Sequence, residues 1–154
     1  MSVDKEILKS ALDIAVTQTM ENMAFEEVEE TNFEAQETIK KKEIFWVIIE
    51  FIHPKNGSMV LFLSKEAAQL LTESLYDPKD ITPAIIQDAM AEILNTIAGC
   101  FLQNFLDPEE KFQLGLPVTG KGKLPKMKDL AGQYAYYIGE NAVLNIMLAG
   151  PDFI

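Results

Sequence analysis

The stretch from Thr82 to Phe105, TPAIIQDAMAEILNTIAGCFLQNF, is the longest apolar segment of the chain. Thr82 followed by Pro83 is typical of a helix start, because a threonine hydroxyl can accept from an early backbone N–H and proline is tolerated at the first helical position. Apolar side chains then cover well over half of the helix circumference, which predicts a helix buried on several sides. They are Ile85, Ile86, Ala89, Met90, Ile93, Leu94, Ile97, Ala98, Phe101, Leu102 and Phe105.

One narrow strip of this helix is not apolar. At about 100° per residue, four positions fall within roughly 60° of one another. They are Asp88, Glu92, Asn95 and Gly99. Such a strip is usually just the solvated side of a helix. This one carries no lysine, however, and asparagine is a poor mid-helix residue that needs some reason to be there. The strip is therefore a candidate contact surface.

Length and charge narrow the class of protein. The 154 residues suit one domain, 1–154, with a proper core. A net charge of −11 argues against nucleic-acid and membrane-surface partners, which are held chiefly by clustered cations. All thirteen basic residues are lysine, so the side chain best suited to bidentate phosphate contacts is absent from the sequence.

The sequence also bears on location. The opening residues SVDKEILKS do not follow the pattern of a secretion signal. Asp88 and Glu92 interrupt the one apolar run that approaches bilayer length. We therefore expect a cytoplasmic protein. The single cysteine, Cys100, is expected to be a buried and inert thiol.

The flanking segments predict an α+β fold, with a mostly antiparallel sheet packed against two or three helices. Ile44 to Ile52 has the continuous apolar run of a central strand buried on both faces, so we expect Trp46 and Phe51 to be core residues rather than a binding platform. The C-terminal hairpin is a plausible sheet edge for pairing with another chain, but a strand of this kind could equally be covered within the chain itself. A first helix capped by Ser2 is expected to run to about Asn22, with apolar residues at helical spacing: Val3, Ile7, Leu8, Ala11, Ile14, Ala15 and Val16. The other expected elements are one or two strands within 25–42; a return strand over 58–63; a helix over 65–76 capped by Ser64; a strand over 112–116 ending at Pro117; a basic loop over 121–128; and hairpin strands over 134–138 and 142–149.

Three further motifs in the sequence are incomplete. Gly115 to Gly122, GLPVTGKG, matches part of a phosphate-binding loop, but Gly122 stands where the motif needs serine or threonine. Asp88 and Glu92 could share a metal ion, yet no third ligand has suitable spacing. The same pair could be a glycosidase-type acid pair, for which no second segment supplies a partner.

At the polar strip the sequence resembles the CheC, CheX and FliY family of chemotaxis phosphatases. The signature of that family is Asp or Ser, three residues, Glu, two residues, Asn, and Pro twenty-two residues later. Asp88, Glu92, Asn95 and Pro117 fill all four positions, and Gly99 agrees with the continuation of the motif. The motif occurs once in this chain, so the likeness is to the CheX branch, which has one copy at about this length.

The resemblance implies a fold, an activity and partners. The activity is hydrolysis of the aspartyl phosphate of a CheY-type response regulator, with Asn95 orienting the attacking water and Glu92 pairing with a lysine of the regulator. Asp88, Gly99 and Pro117 would shape the site or contact the partner. Mg²⁺ would be bound by the regulator, and this chain would need no cofactor. The resemblance also implies a homodimer through the sheet. Two alternatives remain open: a non-catalytic module that docks a regulator or flagellar-switch component with the same face, and a purely structural dimer.

Overall fold

The computed structural model describes residues 3–24, 26–31, 43–139 and 142–154. Three α-helices and seven strands are described, together with a π-helical turn at Met20–Ala24 and 3-10 turns at Pro78–Asp80 and Pro151–Phe153. The prediction that Ser2 caps the first helix is wrong: that helix is capped by Asp4, whose carboxylate accepts hydrogen bonds from the backbone N–H groups of Glu6 and Ile7. Most of the residues predicted to form strands within 25–42 lie outside the described residues. The elements are α1 (Lys5–Thr19), β1 (Val28–Thr31), β2 (Ile44–His53), β3 (Gly57–Ser64), α2 (Lys65–Leu75), α3 (Pro83–Phe105), β4 (Gln113–Leu114), β5 (Val118–Lys121), β6 (Leu130–Ile138) and β7 (Ala142–Ala149).

The seven strands form one sheet in the order β1-β6-β7-β3-β2-β4, with β5 also paired to β2. Every pairing is antiparallel. The α+β class and the mostly antiparallel sheet are therefore confirmed. The structure decides between the two possibilities for the C-terminal hairpin: β7 lies between β6 and β3, and β6 is covered by β1, so the hairpin is covered within the chain and is not an edge.

The main core lies between the helices and one face of the sheet. Along β2, Phe45, Val47, Ile49 and Phe51 are each exposed by 3% or less, whereas the alternate residues are only partly buried or exposed. The expectation of a strand buried on both faces is thus wrong, because the helices cover one face only. Trp46 belongs to a smaller cluster on the opposite face, which contains Val60, Phe62 and Met147 and is partly covered by Leu124 and Met127 of the basic loop.

The chain between α3 and β6 also differs from the prediction. A single strand over 112–116 was expected, but β4 has only two residues, and β5 begins after Pro117. Proline has no N–H to donate to the ladder, so the pairing with β2 is interrupted there and resumes at Val118. The expected basic loop accordingly begins inside a strand, at Lys121.

Among the described residues, α3 is the one helix with the length and apolar composition that could cross a membrane. Half of its most apolar window is buried inside the protein, against α1, α2 and the sheet. The buried core helix of a globular protein has the same length and apolar composition.

Candidate functional site

The orientation of helix α3 about its own axis is fixed by its capped N-terminus and by its contacts with the core. The Thr82 hydroxyl accepts a hydrogen bond from the backbone N–H of Ile85 at 3.2 Å, and Pro83 occupies the first turn. Nine side chains along the helix are exposed by 3% or less. They are Ile86, Ala89, Met90, Ile93, Leu94, Ile97, Ala98, Phe101 and Leu102. A helix packed on this many positions cannot rotate, so its remaining side is fixed toward solvent.

The polar strip occupies that remaining side. Asp88, Glu92 and Asn95 are all exposed, and Gly99 is half-buried. Within the described part of the chain, none of the three polar side chains makes a hydrogen bond or an ion pair. The neighbouring Thr96 hydroxyl donates to the backbone carbonyl of Glu92 at 2.9 Å and leaves the Glu92 carboxylate free. The structure thus presents two carboxylates and one amide, all without internal partners, on a rigid support.

Gly99 leaves a gap in this surface. A Cβ atom built on Gly99 would meet nothing within 4 Å, and its φ is not in the left-handed region. Glycine in the interior of a helix costs about 0.8–1.0 kcal/mol relative to alanine. Neither packing nor backbone geometry explains that cost, so the fold itself does not require glycine at this position.

The register of β5 on β2 determines where Pro117 lies. Val118 is paired with Ile48 and Thr119 with Val47, whose side chain is in the core beneath the helices. Thr119 therefore faces the helix side of the sheet. Pro117 is half-buried and lies directly before this strand. Strand β5 contacts α3. The structure therefore places the fourth residue of the motif directly before a strand that contacts α3.

The other chemical candidates can also be placed. Within the described ranges, no group of three or more His, Cys, Asp or Glu side chains is arranged to hold a metal ion. The stretch resembling a phosphate-binding loop lies partly in β5, and β6 rather than a helix follows it.

Cys100 is half-buried rather than fully buried. Its thiol donates to Oε1 of Gln18 on α1 at 3.2 Å, and burial raises the pKa of that thiol. A thiol held in its protonated form in this way is a poor nucleophile, so Cys100 joins the two helices rather than forming a reactive centre.

The exposed side of α1 was not anticipated. The sequence pattern placed Ile7 and Ile14 among the apolar residues of a packed face, but they are 55% and 38% exposed. Leu12, which the pattern omitted, is fully buried. Centring the apolar arc on Leu8, Leu12 and Ala15 would have left both isoleucines at its margin.

A known protein family matches this chain in sequence. A family model described as "Chemotaxis phosphatase CheX" matches residues 45–139, which is more than half of the chain and includes the whole strip and Pro117. The chain belongs to the CheX family. No curated protein sequence matches it.

Solved structures of the CheX family and its relatives share the fold. CheX from Vibrio vulnificus superposes with a TM-score of 0.72 at 14% identity, covering 92% of this chain and 95% of that one. CheX in the CheX–CheY–BeF3–Mg complex from Borrelia burgdorferi has a TM-score of 0.64 at 16% identity, covering 92% and 96%. FliY from Thermotoga maritima has a TM-score of 0.59 at 14% identity, covering 99% and 94%. At these identities the likeness concerns the fold.

Proposed function

We propose that this CheX-family protein is a phosphatase that hydrolyses the aspartyl phosphate of a CheY-type response regulator in the cytoplasm. One observation carries the proposal: the family's Glu and Asn positions, Glu92 and Asn95, are exposed and unpartnered on a helix that is otherwise locked in the core. Membership in a family of chemotaxis phosphatases supports the activity. The Borrelia burgdorferi complex, in which a CheX is bound to CheY, supports the choice of partner.

Asn95 is assigned the catalytic role. Phosphoryl transfer passes through a loose transition state, so placing a water in line with the leaving oxygen matters more than covalent chemistry. A carboxamide has both a donor and an acceptor, so it can hold such a water without removing a proton in advance. The Asn95 side chain makes no hydrogen bond within the described protein that binding would have to break, and α3 is already ordered before a partner binds.

Glu92 is assigned to docking. It lies three residues before Asn95, on the same exposed side, and its carboxylate is free. A salt bridge from Glu92 to the active-site lysine of the regulator would fix the register of the two proteins. Asp88 and Pro117 would border the same site, Asp88 one turn further toward the helix start and Pro117 from the end of the neighbouring strand. Mg²⁺ is assigned to the regulator.

We also propose a homodimer through the sheet. Since β7 is internal, the C-terminal hairpin cannot supply the edge. Within the described residues, β5 pairs with β2 only. Its first residue, Val118, is 60% exposed, and Leu116, shortly before the strand, is 89% exposed. An edge bordered by exposed apolar side chains favours pairing with another chain. Sedimentation at micromolar concentration tests this assignment, and a monomer there would refute it.

The catalytic assignment is tested by following the decay of a phosphorylated CheY-type receiver domain with and without the protein. We expect Asn95→Ala to lower the stimulated rate by about 10²-fold or more, because positioning of the water is lost, with binding of the BeF3-loaded receiver nearly unchanged. We expect Glu92→Ala to weaken binding by about tenfold, the loss of about 1.4 kcal/mol. Asn104→Ala is a matched control, since Asn104 is an exposed asparagine on the same helix whose amide donates to the Cys100 carbonyl.

Normal turnover by the Asn95 variant would refute its role. Binding by the wild-type protein without any acceleration of decay would favour the non-catalytic docking module. Absence of binding would leave only the structural dimer.

A further inference from the structure

Lys121, the first lysine of the basic loop, lies on the helix side of the sheet. It pairs with Phe45, a core residue beneath the helices, and residues directly opposite each other in an antiparallel pair project to the same face. The loop then turns away, because Leu124 and Met127 pack on the opposite face of the sheet beside Trp46. Lys121 is exposed and, within the described residues, makes no ion pair or side-chain hydrogen bond.

Strand β5, which carries Lys121, borders the flank of α3 that faces away from α1. Helix α1 packs over β6, where the Tyr136 hydroxyl donates to Asp13 at 2.6 Å. Helix α3 packs over β2, where the rings of Phe101 and Phe51 are 6.1 Å apart. In the sheet, β6 lies on the β3 side of β2, and β5 pairs with the other side of β2. Since β5 also contacts α3, it lies along the helix on the side away from α1.

Asn95 is turned toward this flank of α3. Cys100 points to α1, where its thiol is hydrogen-bonded to Gln18, and Phe101 points to the sheet about 100° further around the helix. Asn95 lies about 120° beyond Phe101 in the same rotational sense, and about 140° from Cys100. The rotation that leads from α1 to β2 leads next to β5, so Asn95 is on the β5 side of the strip.

Lys121 is also close to the strip along the direction of the helix. The strand that follows α3 is β4, which pairs with the C-terminal end of β2, so α3 runs in the same direction as β2. Starting from the contact between Phe101 and Phe51, Asp88 lies about 20 Å back along α3 at 1.5 Å per residue. Lys121 lies about 20 Å back along the sheet, because its partner in β2 comes six residues before Phe51. Lys121 is therefore level with Asp88 and about 10 Å from the level of Asn95.

The charge of the proposed partner is complementary to a lysine at this position. Under the proposed function, the receiver domain carries a phosphoryl group and binds Mg²⁺, which takes oxygen ligands that include carboxylates. The surface around its reactive group is therefore rich in negative charge. The strip itself supplies two carboxylates, those of Asp88 and Glu92, and no cation. Lys121 supplies positive charge beside the strip, where it can face the acidic surface of the receiver.

We infer that Lys121 is a positioning residue of the same site, and that its ammonium group pairs with a receiver carboxylate on the β5 side of Asn95. This inference rests on the proposed function and adds to it a docking contact from a second element of the fold. A charge at the rim of an interface steers association and does not touch the reacting atoms. Its loss lowers kcat/KM and leaves kcat unchanged, and the effect is screened by salt.

The test compares Lys121→Glu with the matched control Lys126→Glu. Both lysines are exposed members of the same loop, and both substitutions change the net charge equally. Lys126 lies between Leu124 and Met127, which pack on the face of the sheet away from the strip. A third variant, Lys121→Arg, keeps the charge. The decay of a phosphorylated CheY-type receiver domain is measured at ionic strengths of about 0.01 M and about 1 M, where the Debye length is about 30 Å and about 3 Å. Thermal midpoints show that all variants are folded.

We expect Lys121→Glu to lower kcat/KM by about tenfold at the lower ionic strength, and to bring it within about twofold of wild type at the higher one, with kcat unchanged. Lys126→Glu and Lys121→Arg should stay within about twofold of wild type at both ionic strengths.

Three results would overturn the Lys121 contact: no loss in Lys121→Glu, an equal loss in Lys126→Glu, or a loss that salt does not reduce. In a wild-type protein that accelerates decay and loses that activity with Asn95→Ala, these results leave the proposed function standing. If the wild-type protein does not accelerate decay of the receiver, the proposed function fails, and the Lys121 contact fails with it.

Discussion

Replacing Gly99 with alanine should make the protein more stable and less active. The stabilisation follows from two observations: Gly99 lies well inside α3, and a Cβ there would meet nothing within 4 Å. Alanine is favoured over glycine in a helix interior by about 0.8–1.0 kcal/mol, and no clash subtracts from that gain. For a chain of this size, 1 kcal/mol corresponds to a rise in Tm of about 2–4 °C.

The loss of activity follows from the position of Gly99 on the strip. It lies four residues after Asn95 and one helical turn along, on the same side of α3. With no side chain there, the backbone of a partner can approach the helix closely enough for the amide to enter its site. A methyl group would hold the partner away. Since a displacement of 1 Å can cost about 10²-fold in rate, we expect a clear decrease for Gly99→Ala and a larger one for Gly99→Leu.

Two measurements on the same samples check this prediction: the thermal midpoint, and the rate at which a phosphorylated receiver domain decays. Gly122→Ala is the matched control. A Cβ on Gly122 also meets nothing within 4 Å, but φ there is +83°, a conformation that costs a non-glycine residue about 1–2 kcal/mol. That control should lower the Tm and leave the activity unchanged.

Two results would refute this reasoning. If Gly99→Ala raises the Tm and keeps full activity at every receiver concentration, the bare surface has no role in docking. If it lowers the Tm, the space above Gly99 is not open, and the argument from helix propensity fails with it.

Two further predictions concern stability. Thr82→Ala removes the cap of α3 and should lower the free energy of unfolding by about 1 kcal/mol, whereas Thr82→Ser should lower it little. Both variants should keep full activity, because the cap lies about 20 Å from Asn95 along the helix. Chemical denaturation and the phosphatase assay measure the two quantities, and a loss of activity in either variant would contradict this prediction. Burial, together with the 2.6 Å hydrogen bond to Asp13, raises the pKa of Tyr136 well above its usual range. The hydroxyl proton of Tyr136 dissociates near pH 10 in the unfolded chain, but the folded protein keeps it. The contribution of Tyr136 to the free energy of unfolding is therefore complete below about pH 10 and decreases above it. Tyr136→Phe should lower the free energy of unfolding by about 1 kcal/mol at neutral pH, and stability should then fall less steeply with rising pH than in the wild type. Denaturation curves at pH 7 to 11 measure this, and an equal loss of stability in both proteins would contradict the prediction.

The helix that carries the candidate site was more predictable than the order of the strands. Helix α3 was predicted from Pro83 and observed as Pro83–Phe105, with its strip on the exposed side. The strip could be found because a helix sets the angle between residues through its own i to i−4 hydrogen bonds. Whether the C-terminal hairpin is an edge or is covered could not be decided from the sequence, because the order of strands depends on pairings between residues far apart in the chain.

The sequence by itself therefore determined which residues share one side of α3, which motif they form and which family that motif resembles. Only the tertiary structure decided that this side is free of neighbours, that the space above Gly99 is open, and that β5, which begins directly after Pro117, pairs with β2 and contacts α3. It also decided that Ile7 and Ile14, apolar and in helical period, remain exposed. Periodicity relates residues within one helix, but whether a given side is covered depends on what packs against it, and that depends on the rest of the chain.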